Sequence, residues 1–222
     1  ISHDLRTPLT SISGNASVLI NNSGSLDENK KMQLYEVIYD DSLWLINLVE
    51  NLLSVTRIED GKMNLHLETE LIEEVINEAL NHISHKKDEH RIEVKANDEF
   101  ILAKIDAGLI IQVIINIVDN AIKYTPKGSM ISIETFKHKD FVEIQIADDG
   151  AGISDKDKEK LFEMFYTVKH EVIDGRRGLG LGLALCKAII VAHGGNIAVK
   201  DNIPHGTIFS FTLPIKEVEI HE

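Results

Sequence analysis

The hydrophobic positions of this chain change their period more than once. From residue 1 to about 22, Leu5, Leu9, Ile12, Ala16, Leu19 and Ile20 recur at three- and four-residue spacing, which predicts an amphipathic helix. Pro8 lies inside it. Proline removes one i→i−4 hydrogen bond, so a kink is expected there. Asn21-Asn22-Ser23-Gly24 reads as a turn, and Ser25-Leu26-Asp27-Glu28 has the spacing of a capping box. A second helix is expected to run to about Asp60, with Ile38, Leu45 and Leu52 seven apart and Leu34, Val49 and Val55 beside them. Two such helices on a short turn form an antiparallel hairpin. A lone hairpin cannot cover both of its apolar stripes, so a second copy is expected to complete a four-helix dimer core.

Gly61-Lys62 marks a junction, dividing a helical part (1–61) from the remainder (62–222). Met63, Leu65 and Leu67 then alternate as in a strand, and Leu71 to Ile83 is helical. Arg91 to Lys95 and Phe100 to Ile105 read as strands, and Ala107 to Lys123 as a helix with a broad apolar face. Met130 to Phe136 and Phe141 to Ala147 alternate strictly across His138-Lys139-Asp140, which predicts a hairpin. A helix from about Leu183 to His193 stops at Gly194-Gly195. Asn196 to Lys200 and Thr207 to Leu213 are the last strands, joined by a turn at Pro204-His205-Gly206. Strands with helices grouped between them give an α+β domain, its helices on one face of a mixed sheet. About 160 residues can bury roughly 70% of their unfolded surface, enough to fold alone.

Composition narrows the function. The 222 residues are 43% hydrophobic and 27% charged, with a formal net charge of −13. A nucleic-acid face should be basic, so nucleic-acid binding is not expected. The single cysteine, Cys186, excludes an internal disulfide framework and falls on an apolar helix face, as a core residue would. The longest apolar run, Leu109 to Val118, is interrupted by Gln112 and Asn116 and is too short to span a bilayer. No membrane contact by these residues is expected. The chain starts in mid-pattern and without Met, like a fragment cut from a longer protein.

The candidate chemistry is concentrated between Asp148 and Leu183. The stretch opens with Asp148-Asp149-Gly150-Ala151-Gly152 and closes with Gly178-Leu179-Gly180-Leu181-Gly182-Leu183. Closely spaced glycines let a backbone turn sharply and approach a ligand. The second cluster runs straight into a helix, whose unpaired N–H groups and positive dipole end suit phosphate. Between the clusters lies a polar, basic loop with Phe162, Phe165, Arg176 and Arg177, read as a mobile lid, although both phenylalanines taken alone look like core residues. Asp148, after a strand and before a glycine turn, reads either as a plain turn aspartate or as an acceptor for an exocyclic amine such as that of adenine. Asn116 and Asn120 are four apart on one helix face, and buried amides need partners. An amide oxygen is a suitable hard ligand for Mg²⁺ carried by a nucleotide, and Lys123 is one turn on. His3 and Asp4 are neighbours in Ser2-His3-Asp4-Leu5-Arg6-Thr7-Pro8. Taken alone the pair reads as a solvated helix face, but a neutral imidazole is a nucleophile near pH 7, and a carboxylate can hold one ring N–H while the other nitrogen attacks. His193 and His205 read as cap and turn residues. The P-loop, Rossmann and zincin spacings are absent from the sequence.

Taken in order, these segments resemble the sensor histidine kinases of two-component signalling, over nearly the whole chain. Ser2–Thr10 looks like the H box, Asn116–Tyr124 the N box and Asp148–Gly152 the first glycine box. Leu161–Tyr166 is similar to the F box and Gly178–Leu183 to the second glycine box, with His193-Gly194-Gly195 and Gly206-Thr207 also in keeping. The segment around Arg57-Ile58-Glu59-Asp60-Gly61 and the short lid look similar to potassium-responsive Kdp-type kinases. The resemblance implies a dimerisation and histidine-phosphotransfer hairpin, four-helical in a homodimer, followed by an α/β sandwich of Bergerat ATP-binding type. It implies ATP and Mg²⁺, a response-regulator receiver domain as partner, and a cytoplasmic fragment of a membrane-anchored sensor kinase. Carried over, His3 is the phosphoacceptor, Asp4 its acid/base partner and Thr7 the residue that orients water in regulator dephosphorylation. Asn120 binds Mg²⁺. Asn116, Lys123 and Tyr124 line the phosphate and base site, and Asp148 holds adenine. Gly150, Gly152, Phe165, Gly178, Gly180, Gly182 and Thr207 complete the cleft. Thr167 stands where many relatives have Arg, which leaves Lys169, Arg176 or Arg177 to face the phosphates.

The implied activity is ATP-dependent autophosphorylation of His3, transfer to a regulator aspartate, and regulator phosphatase activity. Three other readings fit parts of the sequence: a catalytically degenerate nucleotide-sensing dimerisation module, favoured by Thr167, a plain ATPase, and a fragment that acts mainly as a phosphatase through Thr7. Related ATPases of the gyrase and Hsp90 type carry Glu where this chain has Asn116, and an amide cannot take a proton from water.

Overall fold

The chain divides into two compact units, Ile1–Glu59 and Asp60–Glu222. The computed structural model describes residues 2–22, 24–59, 65–83, 90–96, 100–168 and 180–215, without the side chains of residues 2–4, 47 and 50–59. The junction expected at 61/62 lies outside the described residues.

The first unit is a pair of helices, α1 (Ser2–Asn22) and α2 (Glu28–Glu59), packed on one another. Helix α1 runs on through Pro8, which is buried. The turn closes on Asn22, whose carbonyl accepts from Ser25 N and Leu26 N at 3.0 and 3.2 Å. The expected capping box is replaced by a simpler cap: Asp27 Oδ1 accepts from Lys30 N at 2.7 Å, while Ser25 Oγ donates back to the Asn22 carbonyl. A carboxylate one residue before the helix satisfies an orphan N–H and complements the positive dipole end, so Asp27 outcompetes Ser25 for the cap. On α2, Met32, Tyr35, Tyr39, Leu43, Ile46 and Val49 form a stripe at three- and four-residue spacing, each 41–64% exposed.

The second unit is built on a five-stranded mixed sheet of order β2-β4-β5-β7-β6, comprising β2 (Arg91–Ala96), β4 (Met130–Lys137), β5 (Phe141–Asp148), β6 (Ile197–Asp201) and β7 (Thr207–Pro214). Only β2 with β4 is parallel; the other pairs are antiparallel. A separate antiparallel pair joins β1 (Glu68–Leu71) to β3 (Leu102–Ile105). Three helices, α3 (Ile72–His82), α4 (Ala107–Tyr124) and α6 (Gly182–Ala192), form the second layer, with α4 between the other two. A single turn, α5 (Asp155–Lys158), follows the first glycine cluster and was not legible as a helix; Ser154 caps it by accepting from Asp157 N. The first strand lies later than expected: residues 65–67 are not in a strand, and the register with β3 begins at Glu68 opposite Ile105. Alternation in Met63-x-Leu65-x-Leu67 was real, but strand pairing needs a partner, and β3 is only four residues long.

The core follows from period. In β4, β5 and β7 every second residue is buried: Ile131, Ile133 and Thr135; Val142, Ile144, Ile146 and Asp148; Thr207, Phe209, Phe211 and Leu213. Helix α4 meets this face with Ile110, Val113, Ile114, Ile117, Val118 and Ala121, a stripe at helical spacing. Each buried aliphatic side chain contributes about 1.5–3 kcal/mol. By length and composition α4 passes for a membrane-spanning helix, which the shorter run Leu109 to Val118 did not. Its packing against β4, β5, α3 and α6 identifies it as the core helix of this unit. Cys186 is fully buried on α6, as expected, and burial pushes its thiol pKa up to about 12, which leaves it unreactive.

Candidate functional site

Strand parity decides where Asp148 points. Counting by twos from Val142 puts it on the inward face, at the last position of β5, next to Thr207 at the first position of β7. It is 8% exposed. Its Oδ1 accepts from Gly150 N at 2.9 Å and Thr207 N at 3.2 Å. Burial raises its pKa above the ordinary carboxylate value, and those two N–H groups oppose the shift without cancelling it. The glycines around it are required by close approach. Gly206 has φ +115°, and a Cβ there would overlap the Asp148 carbonyl. A Cβ on Gly150 would lie 2.8 Å from Thr125 Cγ2 and 2.9 Å from Asp148 Oδ1, and one on Gly152 (φ +77°) 3.3 Å from the Gly206 carbonyl. Asn202 Nδ2 donates to the Asp148 carbonyl at 2.8 Å and fixes the strand end.

Thr125 is a residue that sequence reading passed over, although it directly follows the Asn116–Tyr124 segment. It is 2% exposed and ends α4. Its Oγ1 donates to the Ala121 carbonyl at 2.7 Å and therefore accepts from His90 Nε2 at 3.0 Å. Thus Tyr124, Thr125, Asp148, Gly150, Gly206 and Thr207 form one end of the site. Tyr124 is 42% exposed, with Lys123 Nζ 5.1 Å from its ring centroid, and partial burial raises its phenol pKa.

The other end lies two helical turns back along α4, about 12 Å by the helix rise. A Cβ on Gly182, the first residue of α6, would stand 3.7 Å from Asn116 Oδ1, which places the start of α6 against Asn116. Asn116 Nδ2 is buried and has no partner among the described residues. It lies near the Cys186 thiol and opposes the rise of that pKa slightly, without reaching hydrogen-bond geometry. Asn120 and Lys123, both half-buried, continue the same flank of α4. Gly180 has φ +68°, and a Cβ there would collide with the backbone of Phe165 and Tyr166. Phe165 N donates to the Gly180 carbonyl at 3.0 Å, so the aromatic segment is tied to the glycine loop. Tyr166 Oη donates to Asp157 Oδ1 at 2.6 Å. Phe165 itself is 49% exposed with φ +64°, and the expectation of a core residue fails for it. A left-handed backbone on a bulky residue persists only where its surroundings impose it, here the Gly180 contact. Lys169, Arg176, Arg177 and Gly178 lie outside the described residues, as do the His3 and Asp4 side chains. Thr7 is exposed on α1, one turn beyond His3. His205 is the expected turn residue, with Nδ1 2.8 Å from the Asp149 carbonyl.

A glycine-bordered site of this design, in a chain that also carries a helical pair, defines a class. Residues 105–217 match the family described as histidine kinase-, DNA gyrase B- and HSP90-like ATPase, and residues 1–61 match the His Kinase A (phospho-acceptor) domain. The chain belongs to the sensor histidine kinases of two-component signalling. It joins a phospho-acceptor domain to an ATP-binding domain, the two parts that ATP-dependent autophosphorylation requires. The sensor protein KdpD of Clostridium acetobutylicum is 44% identical over 214 residues, covering 96% of this chain and 24% of that protein. The chain therefore spans about a quarter of that relative's length. Among solved structures, the histidine kinase AdeS of Acinetobacter baumannii is 27% identical with a TM-score of 0.74, covering 97% of this chain and 98% of that one. The histidine kinase ThkA, solved in complex with the response regulator protein TrrA, is 26% identical with a TM-score of 0.69, covering 97% of this chain and 60% of that one.

Proposed function

We propose that this chain is the kinase core of a Kdp-type sensor protein, which phosphorylates itself on His3 from ATP and passes the phosphoryl group to an aspartate of a response regulator. The observation that carries the reading is the buried Asp148. Both backbone donors to it fall on Oδ1, which leaves Oδ2 as an acceptor for the exocyclic amine of adenine. At the other end the orphaned Asn116 Nδ2 supplies a donor for a phosphate oxygen, and Gly180 and Gly182 let the backbone at the start of α6 approach the phosphates. Asn120 fits Mg²⁺ by offering a hard amide oxygen on the same flank of α4; the ion would supply positive charge to neutralise the phosphates. Gly150, Gly152 and Thr207 hold the Asp148 end, and Tyr124, Lys123 and Phe165 border the space between. Arg176, Gly178, Lys169 and Arg177 belong to the lid, where a cation would replace the one lost at Thr167.

The chemistry is positioning plus charge stabilisation. A His3 ring nitrogen attacks the γ-phosphorus, the bond from phosphorus to the bridging oxygen breaks, and ADP leaves with that electron pair. Asp4 holds the remaining ring N–H and accepts its proton as charge develops. Asn116 cannot act as a general base, which disfavours hydrolysis and preserves the γ-phosphoryl for His3. A homodimer completes the helical unit, supported by the uncovered apolar stripe on α2. The phosphorylated hairpin docks a receiver domain, as the partner named with ThkA suggests, and the whole protein is a membrane-anchored sensor with this part in the cytoplasm. The test is incubation with γ-labelled ATP. Acid-labile label on wild type must vanish in His3→Gln; label that persists there refutes the assignment. Regulator phosphatase activity is supported by Thr7, exposed one turn from His3. Replacing Thr7 by Ala is expected to slow regulator dephosphorylation and leave autophosphorylation largely intact; equal loss of both counts against that role.

A further inference from the structure

His193 lies at the far end of α6 from the glycines, and both of its ring nitrogens are engaged. Nδ1 is 2.8 Å from the Ile189 carbonyl, so it carries the proton. Nε2 is 3.1 Å from the Asp106 backbone N–H, so it is the acceptor. The ring is 9% exposed and bridges 87 positions of sequence. Asp106 uses each of its other polar groups as well. Its carbonyl accepts from Ile110 N at 3.1 Å, Oδ1 accepts from Leu109 N at 3.3 Å, and Oδ2 accepts from His66 N at 3.1 Å. The residue that starts α4 is thus pinned to the residue that ends α6.

The two helices run antiparallel along their whole contact. Asp106 meets His193 at one end, Cys186 Sγ reaches the Val113 carbonyl at 3.8 Å in the middle, and Asn116 faces Gly182 at the other end. The His193 end carries a side-chain bond that ties the end of α6 to the start of α4, whereas the Asn116 end holds an orphaned amide and the phosphate-facing glycines. A pair clamped at one end has its spacing at the other set by that clamp and by the intervening packing. We infer that His193 is a positioning residue: by holding the Asp106 N–H it sets the gap between Asn116 and Gly182 into which the nucleotide phosphates fit. This rests on the nucleotide reading above and adds a determinant about three helical turns from the phosphates. The adenine end, built from β5, β7 and the last turn of α4, does not depend on the clamp.

The full 222-residue chain tests this with three variants and two ligands, ATP and adenosine. Asparagine at 193 places an N–H near the Ile189 carbonyl but does not reach Asp106; glutamine reaches the Asp106 N–H with its amide oxygen. His193→Asn is expected to weaken ATP about tenfold, as for one buried donor left unpaired, and to change adenosine by less than about twofold. His193→Gln is expected to keep ATP within about threefold, and His193→Phe to behave like His193→Asn. Folded His193→Asn with wild-type ATP affinity overturns the inference, and so does equal weakening of ATP and adenosine. Should His193→Asn fail to fold, hydrogen exchange on the wild type decides. Slowing of the Asp106 amide by ATP but not by adenosine supports the clamp, and an unchanged rate overturns it. A wild type that binds neither ligand removes the nucleotide reading and this inference with it.

Discussion

Replacing Asp148 by Asn separates the two jobs of that carboxylate. In the fold it is an acceptor: Oδ1 takes the Gly150 and Thr207 N–H groups, and an asparagine Oδ1 can take both in the same place. Burial raises the Asp148 pKa, so the ionised form is held in the folded state at a cost in stability. The sign follows from that direction. The folded pKa lies above the unfolded one, so the penalty is absent below the unfolded value of about 3.9, grows as pH rises through the folded value, and is complete above it. Asp148→Asn removes the penalty. Its melting temperature near pH 7 is expected to equal or exceed that of wild type, with an advantage that shrinks as pH falls toward 4. Nucleotide recognition changes in the opposite direction. The amine of adenine loses a charge-assisted acceptor worth about 1.5–3 kcal/mol and meets an N–H₂ group instead, so the ATP Kd should rise by roughly 10- to 150-fold. Inosine triphosphate carries a carbonyl where adenine carries the amine, and the new Nδ2 donates to it. The preference for ATP over inosine triphosphate should therefore collapse or invert. Fluorescence titration with a labelled ATP analogue, competed by each nucleotide, reads the selectivity, and thermal unfolding across pH reads the stability. Unchanged selectivity in a folded Asp148→Asn protein refutes the role at the base. A fall in melting temperature of several degrees at pH 7 refutes the burial argument.

Gly180→Ala and Gly182→Ala should differ sharply. The first forces a side chain into the Phe165–Tyr166 backbone at φ +68° and is expected to abolish ATP binding, whereas the second has 3.7 Å of clearance and should weaken it only a few-fold. Chelation of divalent cations should stop phosphohistidine formation, and Asn120→Ala should raise the Mg²⁺ concentration needed for half-maximal labelling about tenfold, read by labelling across a Mg²⁺ titration; an unshifted requirement excludes Asn120 as a ligand. Ile46→Glu, in the α2 stripe, should dissociate the homodimer in sedimentation or light scattering while leaving ATP binding to the other unit unchanged.

The order of elements, the inward row of each strand and the apolar stripe of α4 were legible in the sequence because they depend on period, which is local. So were the five motifs, since glycines and amides at fixed spacing carry their chemistry with them. Local signals also misled in identifiable ways. Alternation at 63–67 predicted a strand that pairing with β3 places at Glu68–Leu71, and the Ser25 capping box gave way to Asp27 because a charged acceptor nearer the helix start competes better. Phe165, which taken alone read as core, is held by the Gly180 contact in a left-handed turn at the surface. Tertiary structure alone decided what depends on elements distant in sequence: that Asp148 and Thr207 share one buried corner, that Thr125 and His90 back it, and that His193 grips the start of α4. Those contacts span between 35 and 87 positions. No periodicity encodes them; they exist because packing a helix layer on one face of a sheet brings strand ends and helix ends to the same edge.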